Sequence, residues 1–181
     1  MKKILVPCDF SAQSTEAYKV AVEFASRSKA QITLLHVLIL PPTYNIEPLA
    51  FDVADANFQE EAKKKLDKMK DKAASKSINV NTEVVYGELQ TSIKKIIESR
   101  KIDLVIMGTS GSSGFSEIFI GSNTEKVVRF STVPVLAVRK SFTLNSIKKI
   151  LVPSTLQLNQ AKFIDTLKEL QDFFGAKLHI L

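Results

Sequence analysis

Apolar residues in this chain fall in two alternating arrangements. Short unbroken runs are separated by stretches in which apolar positions recur every third or fourth residue. The runs predict buried strands and the spaced stretches predict amphipathic helices. Lys3–Pro7 reads as a first strand ended by proline, and Asp9-Phe10-Ser11 as a turn. Ala17, Val20, Ala21, Phe24 and Ala25 then stand at helical spacing, predicting a helix over Ser14–Arg27. Gln31–Leu40 is a second apolar strand, of the kind covered on both faces of a parallel sheet, and Pro41-Pro42 stops it. Residues 41–53 show no clear period. They predict a long loop, either a lid or a segment whose apolar residues dock on the surface. Phe58, Ala62, Leu66, Met69 and Ala73 mark a long amphipathic helix. Ile78–Tyr86 alternates, with one wetter side, and predicts a strand near a sheet edge.

Gly87 turns the chain into a helix carrying Leu89, Ile93, Ile96 and Ile97, and Asp103–Met107 is again a short buried strand. Asn123–Phe130 carries a short helix. Val133–Val138 is one more strand, placed at an edge by Pro134, which has no N–H for a ladder. Strands alternating with helices imply right-handed crossovers and a parallel, doubly wound α/β sheet. Ligands of such sheets sit beyond the carboxyl ends of the strands, where strand order reverses. If the first strand neighbours Asp103–Met107, Asp9 and Gly108 face one crevice.

Between that strand and the last helix lies a glycine-rich stretch, Gly108–Ser122. Glycines allow backbone amides to converge on an anion, and the following helix adds its free N–H groups and positive dipole end. The expected chemistry is a phosphate cradle. There is no Gly-x4-Gly-Lys-Ser/Thr, and no lysine between Gly108 and Gly121, so the P-loop NTPase class is excluded. A Gly-x-Ser-x-Gly elbow, a cysteine pair and a His-Glu-x-x-His are equally lacking. No general base for water attack is evident, so binding with slow or no hydrolysis is expected. No catalytic and no protein metal ligand is assigned. Cys8 reads as a small packing residue and His36 as a satisfied core histidine.

With 181 residues, 45% hydrophobic and 24% charged, the chain suits a globular domain or one plus a fragment. A single cysteine and a start lacking a secretory pattern give the expectation of a cytoplasmic protein with no membrane span. The formal charge of +6 raises nucleic-acid binding. Much of it, however, is the run Lys63, Lys64, Lys65, Lys68, Lys70, Lys72 and Lys76, interspersed with Glu60, Glu61, Asp67 and Asp71. That is a solvated helix face without aromatic residues to stack bases, so nucleic acid is not an expected partner.

Lys2–Pro7 recurs letter for letter at Lys148–Pro153, and an ungapped register pairs Ala30 with Ala176 and Leu35 with Leu181. The expected organisation is a domain over 1–140, a linker over 141–146, and over 147–181 the start of a second, incomplete domain of the same kind. Thr155 stands where the first copy has Asp9.

The chain resembles the universal stress protein family, in its ATP-binding, tandem-domain branch. The carrying residues are Ile4–Asp9, Leu34-Leu-His-Val37, and Gly108-Thr-Ser-Gly111 followed nine residues later by Gly121-Ser122. The last matches the family pattern Gly-x2-Gly-x9-Gly-Ser/Thr in full. The resemblance implies a five-stranded parallel sheet of order 3-2-1-4-5, Rossmann-like or flavodoxin-like, often paired through its last strand. It implies a stress-response regulator holding ATP or another adenine nucleotide, with Mg2+ or Mn2+ bound through the phosphates. Asp9 would lie near ribose or metal beside Pro7, and Val37 would offer backbone groups to adenine. Gly108, Gly111, Gly121, Ser122 and Asn123 would surround the phosphates, with Met107 and Ser110 completing the cofactor-binding set. Ser110 is a departure, since members often carry a larger basic or imidazole side chain there. A homodimer, or pairing with the second domain, is the implied assembly. The alternatives are an interaction module of the same fold without nucleotide, or a slow metal-dependent ATPase.

Overall fold

The computed structural model describes residues 1–39, 48–74, 77–109, 121–153 and 161–181. The elements run β1 Lys3–Pro7, α1 Ala12–Ser28, β2 Gln31–Leu38, α2 Pro48–Ala74, β3 Val80–Tyr86, α3 Leu89–Arg100, β4 Leu104–Gly108, α4 Ser122–Phe130 and β5 Val135–Val138. A 3₁₀ turn Leu144–Ser146, β6 Lys149–Val152, α5 Ala161–Phe174 and β7 Lys177–Ile180 follow. The chain divides into a unit Met1–Ser141 and a unit Phe142–Leu181.

In the first unit five strands lie parallel, as the crossover argument requires, in the order β3-β2-β1-β4-β5 that the resemblance implies. β1 pairs with β4 through Ile4↔Leu104 and Leu5↔Val105, and with β2 from Lys3↔Gln31 to Pro7↔Leu35. β3 and β5 are the edges. Pro134 lies just before β5 and still contributes its carbonyl, which accepts from Val105 N–H at 3.0 Å.

Alternation decides which layer each strand residue joins. Leu5, Leu35, Val105 and Met107 point to one face, where Ile93, Ile96 and Ile97 of α3 and Val127 of α4 close over them. Leu5 and Leu35 are wholly buried, and each such side chain stabilises the fold by roughly 1.5–3 kcal/mol. On the opposite face α1 packs on β1, β4 and β5, and α2 on β2 and β3. Tyr18 of α1 donates to the Met69 carbonyl of α2 at 3.0 Å, joining the two helices.

Each helix end has a local cause. Ser11 caps α1 by accepting from Ser14 N–H at 3.1 Å, and Lys29 ends it in the left-handed region at φ 55°. α2 begins at Pro48, inside the stretch read as a loop over 41–53. Proline is at home as a first helical residue, where its missing N–H would be unsatisfied anyway. The rest of that expected loop, together with Leu40, lies outside the described residues. β2 ends at Leu38 rather than Leu40, and Ile39 is exposed.

In the second unit β6 and β7 pair in parallel from Lys149↔Lys177 to Val152↔Ile180. This is the β1–β2 ladder carried along the chain without slippage. The backbone agrees in detail: Ala30 N–H donates to Ala25 O, and Ala176 N–H to Gln171 O, both at 3.2 Å. Lys29 and Gly175, which correspond, are both left-handed, at φ 55° and 61°. The stretch 141–146 is more than a connector, for it forms the 3₁₀ turn and its Leu144 is buried.

Candidate functional site

At the carboxyl ends of β1, β2 and β4, where strand order reverses, lies a cavity of about 170 Å³. Pro7, Cys8 and Asp9 reach it from β1, Leu35, His36, Val37 and Ile39 from β2, and Met107 and Gly108 from β4. Ser11 and Ser14 of α1, Leu89 of α3, and Asn123 and Thr124 of α4 complete its lining. The lining is mostly apolar, with Asp9, Ser11, Ser14, Asn123 and Thr124 supplying side-chain oxygens. Of the residues expected in the site, Pro7, Asp9, Val37, Met107, Gly108 and Asn123 meet here. Ser110 and Gly111 lie outside the described residues. Gly121 and Ser122 stand at the start of α4, outside the cavity lining.

The turn after β1 sets the acidic side. Phe10 adopts a left-handed conformation at φ 63°, rare for a bulky side chain, and this reverses the chain sharply after Asp9. Asp9 Oδ1 accepts from Ser11 N–H at 3.0 Å, so its carboxylate both holds the turn and faces the cavity. Burial would raise the Asp9 pKa. Hydrogen bonds from Ser11 and from Ser14 and the local backbone outweigh it, and the pKa is held below its ordinary value. Asp9 is thus ionised at neutral pH.

His36 corrects the sequence reading. It is half-buried and lines the cavity instead of sitting in the core. Its Nδ1 donates to the Cys8 carbonyl at 2.7 Å, which leaves Nε2 as an acceptor in the neutral ring. The ring packs on Phe10 with centroids 4.5 Å apart, and Lys65 Nζ lies 5.4 Å from the Phe10 centroid. Cys8 is buried as expected, with Sγ 3.6 Å from Ser14 Oγ and 3.8 Å from Met69 Sδ. Burial pushes its thiol pKa up, the Asp9 charge pushes the same way, and hydrogen bonds to Phe10 and Ser14 offset part of the rise. The thiol is a packing group, not a nucleophile.

On the β4 side, Thr124 Oγ1 donates to Gly108 O at 2.7 Å, and Thr109 N–H donates to Val138 O at 3.0 Å. Gly121 N–H donates to Thr109 O, so the two ends of the segment 110–120 are fastened together. That engages the Gly121 amide within the backbone. The amides of Ser122, Asn123 and Thr124 open α4 and have no intrahelical partner. Gly108 has a packing reason to be glycine: a Cβ there would lie 2.8 Å from Gln13 C and 2.9 Å from Gln13 O. Among the described residues no group of three or more His, Cys, Asp or Glu could hold a metal ion, and no helix is long and apolar enough to cross a membrane.

An apolar slot at the switch point of a doubly wound sheet, with a carboxylate on its rim and a helix N-terminus beside it, stands where α/β sheets of this class hold their ligands. The family model described as the universal stress protein family matches residues 1–139, and the chain belongs to that family. A universal stress protein of Methanocaldococcus jannaschii is 31% identical over 140 residues, covering 77% of this chain and 82% of that one. Universal stress protein UspA from Lactobacillus plantarum superposes with a TM-score of 0.64 at 28% identity, over 76% of this chain and 97% of that one. Two more distant structures share the fold. One is a universal stress protein in complex with cAMP, at TM-score 0.60 and 23% identity over 77% of this chain and 98% of its own. The other is an Arabidopsis thaliana member with AMP bound, at 0.56 and 16% over 78% and 93%.

Proposed function

We propose that the first unit is a cytoplasmic, adenine-nucleotide-binding regulatory domain of the stress response, with the nucleotide in the β1/β2/β4 crevice. The observation that carries this is the meeting of Asp9 with the start of α4, whose first amides have no intrahelical partner, across a slot lined by Leu35, Val37 and Met107. Its volume is below the roughly 300–1,000 Å³ of whole small-molecule sites, so it encloses a base and leaves the charged tail at its mouth. Adenine lies against Val37 and Met107 beside Pro7, Asp9 accepts from a ribose hydroxyl, and the phosphates run toward Ser122 and Asn123. Gly108 and Gly121 shape the entry, and Ser110 and Gly111 belong to the same phosphate-binding segment by the family spacing.

Asp9 is a lone carboxylate, so Mg2+ or Mn2+ would be held mainly through phosphate oxygens and water, as magnesium commonly is. The bound state orders the chain around the nucleotide, and partners read that ordering. Residues 147–181 we take as a repeat of the domain's first β–α–β element, supported by its unslipped ladder. Pairing through β5, between copies or between domains, is the assembly that the family resemblance favours.

Isothermal titration of AMP and ATP with magnesium into the wild-type chain and Gly111→Val tests the site. We expect micromolar to millimolar binding that the valine abolishes. Unchanged affinity in the variant would refute the assignment of phosphates to this segment.

A further inference from the structure

At the amino ends of the strands, opposite the crevice, the first unit has a second cavity of about 350 Å³. Lys3 of β1, Gln31 and Thr33 of β2 and Asn81 of β3 line it from the sheet, and Arg100 and Lys101 close it at the end of α3. The ladder sets the sheet residues side by side, since Lys3 pairs with Gln31 and Thr33 with Asn81. Alternation turns them toward α3: Lys3 precedes Leu5 by two positions, Thr33 precedes Leu35 by two and Asn81 precedes Val85 by four, and those apolar residues join the α3 layer. One sheet face is thus apolar core at its middle and hydrogen-bonding surface at its amino end.

Thr33 gives that surface its meaning. It is only 5% exposed, and a buried hydroxyl normally has a partner. Among the described residues its side chain has none, and neither have those of Gln31, Asn81 and Lys101. Three adjacent strands and a helix end therefore present uncommitted donors to one space.

Charge selects what would fill it. Lys3, Arg100 and Lys101 are cationic, and no acidic side chain is among the described residues of the lining. Glu83 matches one cation, its Oε1 lying 2.8 Å from Arg100 Nη2. The negative end of the α3 dipole is worth roughly half a charge and does not reverse the balance. Its carbonyls are also engaged: Ile97 O and Glu98 O accept from Lys101 N–H, and Arg100 O accepts from Lys3 Nζ at 3.0 Å. Asp103, outside the lining, commits Oδ2 to the N–H groups of Lys2 and Lys3 at 2.6 and 3.2 Å.

We propose that this cavity is an oxodianion site: Lys3, Arg100 and Lys101 neutralise a phosphate group, and the Thr33 hydroxyl with the Gln31 and Asn81 amides fixes it by hydrogen bonds. The free ion and the phosphate of a small hydroxylated molecule share that chemistry, and the volume admits either. The site is independent of the nucleotide reading, which concerns the other end of the sheet.

Inorganic phosphate is titrated into the isotope-labelled full chain at neutral pH, against chloride at matched ionic strength, and amide shifts are followed by NMR. Phosphate should move the amides of Lys3, Thr33, Asn81 and Lys101 and bind in about the millimolar range or tighter, and chloride should not. Lys101→Gln should weaken phosphate about tenfold. Thr33→Val keeps the buried shape and should weaken it about threefold. Ribose 5-phosphate, run beside ribose, identifies the source: tighter binding than phosphate means that the group arrives on a hydroxylated molecule, and equal binding means that the free ion is the occupant. Shifts that chloride reproduces, shifts confined to the start of α4, or an affinity that neither variant changes would overturn the proposal. Neither substitution removes a hydrogen bond of the folded chain, and if one variant does not fold the other still decides.

Discussion

Thr124 Oγ1 lies 2.7 Å from the carbonyl oxygen of Gly108, a residue sixteen positions earlier, and donates to it. The bond joins the end of β4 to the start of α4 and holds that side of the crevice together. Thr124 is 2% exposed, and removing its hydroxyl leaves the half-buried Gly108 carbonyl short of a partner. Thr124→Val keeps the shape and should cost about 1 kcal/mol in urea unfolding at unchanged m-value. AMP affinity should fall with it; a variant of wild-type stability and affinity would mean that water or another donor replaces the bond.

Gly108→Ala should destabilise by about 1–3 kcal/mol, because the new methyl meets Gln13 backbone atoms that cannot rotate away. Thermal unfolding measures it. A loss below about 0.5 kcal/mol would show that α1 shifts freely and that Gly108 is there for the ligand alone.

Tyr18 is 5% exposed, and its pKa is pushed up to about 12 by burial, with a smaller contribution from Cys8. A raised folded-state pKa means that stability is intact below the unfolded value near 10 and is lost as pH climbs toward 12. That loss should approach about 2 kcal/mol. Tyr18→Phe gives up the bond to Met69, costing about 1 kcal/mol at neutral pH, but should unfold with a flatter profile between pH 10 and 12. Denaturant midpoints across that range compare the two proteins. Parallel profiles would exclude Tyr18 as the source of the alkaline loss.

The Asp9 pKa is lowered in the folded protein, so its contribution is present above its ordinary value and disappears only as pH falls through the depressed one. The part of adenosine affinity that Asp9 supplies should therefore be constant from pH 5 to 8. Asp9→Asn keeps an acceptor for Ser11 N–H and should stay folded while binding adenosine several-fold less tightly. A step in affinity between pH 5 and 8 would point to another titrating group in the crevice.

Lys29 and Gly175 close corresponding helices in the same left-handed conformation. Lysine is strained there and glycine is not. Lys29→Gly should therefore raise the stability of the first unit by up to about 1 kcal/mol, read as a shift in unfolding midpoint. A lowered midpoint would mean that the lysine side chain supplies compensating contacts.

What the chain discloses before folding follows from how local each cause is. The runs Lys3–Pro7 and Asp103–Met107 need only their neighbours in sequence to be recognised as buried strands. Their adjacency, which crossover handedness alone leaves open, is implied by the family's strand order, and it places Asp9 and Gly108 in one crevice. His36 was misplaced because an apolar run looks the same whether or not its carboxyl end is roofed by a helix. The strand leaves its cover just where His36 stands, and only the assembled layers show that. The clash awaiting a side chain at Gly108 is equally invisible, because it involves Gln13 on a helix far away in sequence. Pro48 was a usable helix-start signal within 41–53, outweighed there by the absence of period.

The matched ladders of β1–β2 and β6–β7 have a practical corollary for protein engineering. Two stretches that correspond residue for residue, without a gap, can be exchanged without shifting the ladder. A chimaera exchanging residues 8–30 for 154–176 would keep every rung in step, and whatever it lost could be charged to side chains and not to misaligned backbone.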